Sequence, residues 1–193
     1  MADVLDEYDM ERMDLSELTR FIQTHGKRKE LGKRELFIRQ GEGADVAGYV
    51  SKGMLRHTRI DSAGNEHVVG YSFEGALVGE YSACLCRRPS LINIQAMTSS
   101  TLYIIRYSEL TAWWHSSPER ERLGRRLAEQ LFVMAYRRLM DSYCCTPEER
   151  YRSLMRQYPA LKEQVPLKEI ASFIGVTPET VSIIRRRLLS ENS

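Results

Sequence analysis

The chain has 193 residues, of which 42% are apolar and 9% aromatic, so it is long enough to bury one large core or two small ones. Its formal net charge is +2, but residues 1–118 carry 14 basic and 16 acidic side chains, whereas residues 119–193 carry 14 basic and 10 acidic ones. No run approaches the roughly 20 consecutive apolar residues of a membrane span, and the acidic first residues are unlike a signal peptide. We therefore expect a cytoplasmic protein with no membrane partner.

The front of the chain is predicted to be a β-domain. Ten of the twelve glycines lie between Gly26 and Gly79, where they separate short runs rich in Val, Tyr, Ile and Phe. Short strands with frequent turns favour a sandwich or a small barrel. The predicted strands cover residues 35–39, 48–51, 54–60, 67–73 and parts of 91–106, with a hairpin turn at 61–66 and a short helix at 15–24 before them.

A single long helix is predicted over residues 118–143, where glycine is nearly absent. Pro118 suits the first helical turn, and apolar side chains recur at the spacing of an amphipathic helix. About 25 residues at about 1.5 Å each span roughly 40 Å, which is more than the preceding domain needs for its own cover. One face should pack on the β-domain and another on a second copy of the chain. The residues predicted for the dimer interface are Leu123, Leu127, Leu131, Met134 and Arg138.

A shorter helix is predicted to follow a break in the chain. Thr146 is a suitable N-cap for it, and Pro147 occupies the first helical position, where a proline is well tolerated. Tyr158 and the proline after it should end this helix.

Residues 167–188 are predicted to form a helix-turn-helix. Ala171 lies where a small side chain lets two helices approach, and Gly175 can adopt the left-handed conformation that ends the first helix. Thr177 then caps the second helix, with Pro178 at its first position. The apolar side of the pair consists of Ile170, Ile174, Val176, Val181, Ile184 and Leu188.

The opposite side of the second helix is polar enough to enter the major groove of DNA. Glu179 can accept a hydrogen bond from cytosine N4, Ser182 can bond to several base edges, and Ile183 can pack on a thymine methyl group. Pro178 also lies on this side. Thr177 and the arginines Arg185, Arg186 and Arg187 suit phosphate contacts. The alternative is a plain helical hairpin with a solvated basic face.

In this order, the segments resemble the cyclic-AMP receptor/FNR family, abbreviated CRP/FNR. The matching stretches are Ile-Arg-Gln-Gly-Glu at 38–42, Gly-Tyr-Val-Ser-Lys-Gly at 48–53, Phe-Glu-Gly-Ala-Leu-Val-Gly-Glu at 73–80 and the recognition unit at 170–188. The resemblance implies an α+β fold with an N-terminal double-stranded β-helix, or jelly roll, over residues 1–117. A dimerisation helix over 118–143 and a C-terminal winged helix-turn-helix over 144–193 would follow.

The resemblance also implies a function. It predicts a DNA-binding transcriptional regulator that acts as a homodimer on a palindromic operator, with double-stranded DNA and RNA polymerase as partners. Glu179 and Ser182 would be base-reading positions. Many relatives carry an arginine one position after the serine, and Ile183 replaces it here, so the operator is expected to differ from the family's common half-site.

In cyclic-nucleotide-binding members of the family, the stretch after the Gly-Glu pair continues to Arg-Ser or Arg-Thr. The arginine neutralises the cyclic phosphate, and the glutamate holds the ribose hydroxyl. This chain has the Gly-Glu pair, but the later pair reads Pro-Ser, and a lost charged hydrogen bond is worth about 1.5–3 kcal/mol. Arg87 or Arg88 could substitute, or both could be exposed loop charges. The predicted effector site is Gly79, Glu80, Arg87, Arg88 and Ser90, with a cyclic nucleotide as one candidate effector and no identity assigned otherwise.

Other sensor chemistries are also represented in the family. An iron–sulfur cluster is not expected, because no cysteine precedes Cys84. Thiol sensing through Cys84 and Cys86 is an alternative, since nearby positive charge lowers the pKa of a thiol. The neighbouring pair Cys144 and Cys145 is a poor disulfide geometrically and is expected to stay reduced. A haem iron would need an axial ligand, for which the candidates are His25, His57, His67 and His115.

Two further alternatives remain open. The chain could be a ligand-independent regulator whose dimer binds DNA without an effector. In a different class, the β-domain could be a cupin-like metalloenzyme, but such sites often need a His-x-His pair, and the nearest two histidines, His57 and His67, are ten positions apart. We therefore predict no catalytic residue and no metal ligand.

Overall fold

The computed structural model describes residues 13–158 and 161–191. The chain divides into two compact units, Met1–Gln130 and Leu131–Ser193. This boundary falls within the long helix that was predicted as a separate region of the chain.

The first unit contains a helix, then a β-domain, then two further helices. Its helices are α1 (Ser16–His25), α2 (Tyr81–Cys86), α3 (Tyr107–Trp114) and the first part of α4 (Pro118–Cys144). Its strands are β1 (Lys27–Leu31), β2 (Leu36–Ile38), β3 (Val46–Lys52), β4 (Met54–Ile60), β5 (Glu66–Phe73), β6 (Leu77–Gly79), β7 (Asn93–Ala96) and β8 (Ser100–Arg106).

The strands form two four-stranded antiparallel sheets, in the orders β1-β8-β3-β6 and β2-β7-β4-β5. Their apolar side chains enclose one core. Val50, Leu55, Ile94 and Leu102 have no exposed surface in it. This arrangement confirms the predicted jelly roll.

Several elements were not predicted from the sequence, namely β1, β6, α2 and α3. Strand β1 reads Lys-Arg-Lys-Glu-Leu, and only its last residue is buried. It exists because its backbone pairs with β8, from Lys27 opposite Ile104 to Leu31 opposite Ser100. A charged edge strand of this kind lacks the alternation of apolar residues by which strands are recognised.

A second core joins the helices of this unit to the outside of the β-domain. Leu18 and Ile22 of α1 and Trp113 of α3 are buried in it, and the rings of Phe21 and Trp113 stack with their centroids 5.0 Å apart. The partly buried side chains packed against this cluster include Leu123 and Leu127 of α4.

Leu123 and Leu127 were predicted at the dimer interface. In the described chain both side chains are partly buried, because they pack against this cluster of their own unit. The two faces of an amphipathic helix cannot be told apart from spacing alone, because apolar residues on either face follow the same period.

The second unit is helical. After α4 come α5 (Pro147–Gln157), α6 (Leu161–Gln164), α7 (Leu167–Ile174) and α8 (Pro178–Glu191). Thr146 caps α5 through a hydrogen bond from the Glu149 amide, 3.3 Å, as predicted. The buried core of the unit comprises Tyr151, Leu154, Leu161, Val165, Ile170, Ala171, Ile174, Val181 and Ile184.

The structure departs from the predicted winged form of this unit. A wing is a β-hairpin, and residues 131–158 and 161–191 contain no strand. The stretch between α5 and α7 holds the helical turn α6, and Leu161 within it has no exposed surface.

Candidate nucleic-acid interface and sensor cassette

The turn between α7 and α8 has the geometry of a helix-turn-helix. Gly175 has a φ of +70°, a backbone conformation that a glycine adopts without strain. The Val176 amide then donates to the Ala171 carbonyl at 3.0 Å, and Ala171 itself is buried. The Thr180 amide donates to the Thr177 hydroxyl at 3.3 Å, which caps α8.

One side of α8 is buried and the other is exposed. Val181 and Ile184 pack into the core, whereas Glu179, Ser182 and Arg186 are exposed. Ile183 keeps 63% of its surface accessible, which is unusual for an isoleucine. We call the exposed set Glu179, Ser182, Ile183 and Arg186 the reading face.

Glu179 lies in the first turn of α8. Hydrogen bonds from its own backbone amide and from the Thr177 hydroxyl lower the pKa of its carboxyl. The group is therefore a carboxylate at neutral pH and can only accept hydrogen bonds. This is the chemistry that reading a cytosine amino group requires.

The three consecutive arginines of α8 differ in their surroundings. Arg185 is half-buried, and its Nε donates to the hydroxyl of Tyr151 on α5 at 3.1 Å. Arg187 Nη2 lies 2.8 Å from Oε2 of Glu148, also on α5. Arg186 is exposed and makes no hydrogen bond or ion pair with the residues that the structure describes.

Arg185 was predicted to contact phosphate, and the structure shows it packed beside Tyr151. Its guanidinium carbon lies 5.9 Å from the centre of the Tyr151 ring, so the side chain lies along α5 instead of pointing outward. Arg185 contributes to the packing of α8, whereas Arg186 is exposed to solvent. The sequence did not reveal this because the partner, Tyr151, is 34 positions away.

Arg150 joins the ends of two helices in this unit. Its Nε donates to the Ile174 carbonyl at the end of α7, 3.0 Å, and its Nη1 donates to the Cys145 carbonyl after α4, 2.7 Å. The last carbonyls of a helix have no partner within the helix, and a cation satisfies them well. No sequence pattern pointed to Arg150.

The second half of α4 exposes a row of large apolar side chains. Phe132, Tyr136, Leu139 and Tyr143 are 69%, 49%, 49% and 78% accessible, respectively. Their spacings of four, three and four residues are those of a heptad repeat. We call these four residues the α4 seam. The four residues were not predicted from the sequence as members of an interface.

Arg138 was also predicted at the dimer interface, and it is exposed in the described chain. Its guanidinium carbon lies 4.0 Å above the ring of Phe173 on α7. This is a cation–π contact, which connects the end of α4 to the first helix of the helix-turn-helix.

In the first unit, the predicted effector residues surround α2. Glu80 is 9% exposed and caps this helix, because its Oε2 accepts from the Ala83 amide at 2.8 Å and its Oε1 from the Ser82 hydroxyl at 2.5 Å. Ser90 is 2% exposed, and its hydroxyl donates to the Ile92 carbonyl at 2.7 Å. Both side chains are thus hydrogen-bonded within the chain.

The remaining predicted effector residues do not complete a phosphate site. A Cβ atom on Gly79 would lie 3.2 Å from the Val46 carbonyl oxygen, so the glycine serves the close pairing of β6 with β3. Arg87, with a φ of +51°, and Arg88 are both exposed. The residues present therefore do not fit a cyclic nucleotide held by a fixed cation at its phosphate.

The thiol hypothesis is contradicted at Cys84. This cysteine is buried, and its Sγ donates to the Ala44 carbonyl at 3.2 Å. Burial raises the pKa of the thiol, and the negative charges of Glu80 and Asp45 raise it further. The nearby arginines were expected to lower it, but both are exposed. Cys86 is exposed as well.

The four histidines lie apart from one another. Nε2 of His57 is 3.0 Å from the Ser72 hydroxyl, and burial lowers the pKa of this half-buried ring to about 4. His67 pairs with Asp61 at 2.8 Å, and His25 bonds to the Phe21 carbonyl at 3.1 Å. His115 lies 3.8 Å from Glu121. Among the described residues, no group of histidine, cysteine and carboxylate side chains could hold a metal ion.

Comparison with known proteins agrees with the architecture. Residues 28–116 match the family profile of the cyclic nucleotide-binding domain. FixK2 from Bradyrhizobium japonicum aligns with a TM-score of 0.73 at 19% identity, covering 86% of each chain. The chain has the CRP/FNR fold. The resemblance found in the sequence is thereby confirmed for both the β-domain and the C-terminal helices.

Two further solved structures share this CRP/FNR fold. The c-di-GMP responsive global regulator CLP from Xanthomonas campestris has a TM-score of 0.66 at 21% identity, with 93% of each chain covered. A CRP/FNR-family transcriptional regulator from Thermus thermophilus has a TM-score of 0.60 at 21% identity, with 86% of this chain and 87% of that chain covered. No curated protein matches the chain. Among the described helices, none has the length and hydrophobicity that a bilayer crossing requires.

Proposed function

We propose that the chain is a sequence-specific DNA-binding transcriptional regulator. The observation that carries this proposal is the reading face of α8, whose four side chains project from a helix fixed by a buried core. Glu179 supplies a charged acceptor, Ser182 a hydroxyl, Ile183 an apolar contact and Arg186 a guanidinium open to solvent, which together can discriminate between base pairs. The regulators that share the fold support the same function.

The working unit of this regulator is a homodimer bound to a palindromic operator. The α4 seam supports this part of the proposal, because it presents four large apolar residues at heptad spacing. A symmetric pair of chains would place two copies of α8 in successive major grooves, about 34 Å apart. We propose that this dimer acts in the cytoplasm and contacts RNA polymerase.

A ligand-independent regulator is a second candidate. The hydrogen bonds of Glu80 and Ser90 favour it, because both side chains are already satisfied within the sensor unit. In that case the dimer would bind its operator without a small molecule.

A gel-shift experiment with a pool of genomic fragments tests the proposed function. We expect selective retention of a subset of fragments at physiological salt in the presence of competitor DNA, because specific complexes are typically at least about 1,000-fold tighter than non-specific ones. Retention of all fragments alike, or of none, would contradict the proposal. Repeating the shift with freshly purified and with dialysed protein separates the ligand-dependent from the ligand-independent candidate.

A further inference from the structure

Glu148 of α5 pairs with two arginines at once, Arg152 of its own helix and Arg187 of α8. Its Oε1 accepts from Arg152 Nε and Nη2 at 3.1 and 3.0 Å, and its Oε2 pairs with Arg187 Nη2 at 2.8 Å. The Glu148 side chain is 17% exposed, whereas that of Arg187 is 65% exposed. Both carboxylate oxygens are therefore engaged by cations, one of them from α8.

Arg187 lies within reach of the DNA side of α8. It follows Ile183 by four residues, so the two side chains are neighbours along the helix surface, and it directly follows Arg186. The side chain at this position borders the reading face, where phosphates flank a helix that lies in the major groove. The ion pair with Glu148 directs the guanidinium of Arg187 toward α5 instead.

An arginine that contacts a phosphate adds affinity for every DNA sequence alike. Such a contact strengthens specific and non-specific complexes together, so it adds to the non-specific binding with which an operator must compete. A carboxylate that keeps an arginine away from the backbone has the opposite effect.

We propose that Glu148 limits the sequence-independent affinity for DNA by withholding Arg187 from the DNA backbone. The proposal rests on the proposed DNA-binding function and adds a role for α5, which carries no residue of the reading face. Glu148 and Arg187 form an ion pair in free protein and in the specific complex. Arg186 remains the arginine that contacts DNA.

The test compares Glu148→Gln with the wild type on non-specific DNA. The probe is a fluorescein-labelled duplex of scrambled sequence, about 30 base pairs long so that it can hold two half-sites. Fluorescence anisotropy gives its affinity at a series of KCl concentrations. Glu148→Gln should bind the probe more tightly, and the slope of log K against log salt should become steeper by about 0.9 for each bound protomer, because one more phosphate is neutralised.

Glu163→Gln is the matched control, since Glu163 is an exposed glutamate of α6 and the substitution removes the same charge. It should leave the salt slope unchanged. In the Glu148→Gln background, the additional change Arg187→Ala should return the slope to the wild-type value. In the wild-type background, Arg187→Ala alone should leave both affinity and slope unchanged.

Three results would overturn the proposal. They are an unchanged slope in Glu148→Gln, an equal gain in Glu163→Gln, or a loss of affinity in Arg187→Ala alone. If the thermal melt shows that Glu148→Gln does not fold, the affinity of Arg187→Ala for the probe tests the proposal. A wild-type protein that binds no DNA at all would instead reject the proposed function, so the two failures are distinguishable.

Discussion

The cassette stretch of the sensor unit and the reading helix each carry a glutamate and a serine at positions that the family resemblance marks as functional. In the cassette, Glu80 and Ser90 are buried, and their oxygens are hydrogen-bonded to neighbouring backbone and side-chain groups. On α8, Glu179 and Ser182 are exposed above an apolar core. The same residue types therefore differ in accessibility, because the pair in the cassette is buried and the pair on α8 is open to solvent.

The arginines of the cassette and of α8 differ in the same way. Arg87 and Arg88 are exposed but belong to a loop, whereas Arg186 is exposed on a helix whose other face is fixed in a core. A binding site requires groups that are both free and held in place. The helix-turn-helix meets both conditions, and the cassette does not meet them at the predicted phosphate position.

We expect the greatest change for His57 of the sensor unit, whose burial should make the free energy of unfolding depend on pH. Its pKa is lowered from 6.5 to about 4 by burial, so the folded state holds the neutral ring while the unfolded state takes up a proton near pH 6.5. The stability that His57 provides is complete above pH 7 and falls as pH drops from about 6.5 to about 4. The loss should be on the order of 2 to 3 kcal/mol.

Urea unfolding at pH 7.5, 5.5 and 4.5 measures this dependence. In His57→Leu, the free energy of unfolding should fall less steeply over that range than in the wild type. His115→Leu is the control, because His115 is exposed and the same substitution there should keep the wild-type pH dependence. Identical profiles for all three proteins would show that His57 is not buried as described.

A charge placed in the α4 seam should weaken the proposed dimer. Leu139→Asp should weaken the dimer on the order of 100-fold, because two half-exposed leucines lose their burial and two charges enter the interface. Sedimentation equilibrium measures the dimer dissociation constant. Leu189→Asp, at a leucine of α8 that is 62% exposed, should leave that constant unchanged. Equal dissociation constants for the wild type and Leu139→Asp would show that the α4 seam does not form the dimer interface.

Replacing Glu179 and Glu80 by alanine, one at a time, tests whether the two glutamates differ in function. Glu179→Ala should reduce discrimination at one base pair of the operator by on the order of 10- to 100-fold while leaving the melting temperature nearly unchanged. Binding selection from a randomised operator pool measures this selectivity. A uniform loss of affinity over all sequences would mean that Glu179 reads no base.

Glu80→Ala is the counterpart in the cassette. It removes a buried helix cap, so it should lower the free energy of unfolding by about 1 kcal/mol and leave operator selectivity unchanged. Glu80→Gln should recover part of the stability, because its amide oxygen can still accept from the Ala83 amide. Chemical denaturation measures the first result and the same operator selection measures the second. A stable Glu80→Ala protein would mean that the cap contributes nothing.

The smallest expected effect is that of a cyclic nucleotide. Because no fixed cation stands at the phosphate position among the described residues of the cassette, cyclic AMP at millimolar concentration should leave the melting temperature of the protein unchanged. Pro89→Arg, which restores the family's Arg-Ser pair, is the informative comparison. A clear stabilisation of the wild type by cyclic AMP would show that Arg87 or Arg88 provides the missing charge.

The jelly roll, the long helix and the helix-turn-helix could be predicted from the amino-acid sequence, although β1, β6, α2 and α3 could not. Local physical rules are sufficient for these features. The turn required a glycine with positive φ, which Gly175 supplies, and α8 required a cap, which Thr177 supplies. The helical period then places Glu179 and Ser182 on one side of α8 and Val181 on the other.

Which polar groups stay exposed and which apolar faces become buried depends on the folded chain. Arg185 is adjacent to Arg186 in sequence, but Tyr151 of α5 engages the first and leaves the second exposed. Leu127 and Leu139 follow the same helical pattern, yet one is packed within the first unit and the other is exposed. Such outcomes depend on partners brought together by folding from distant parts of the chain, and neither spacing nor residue type encodes which partner will be there.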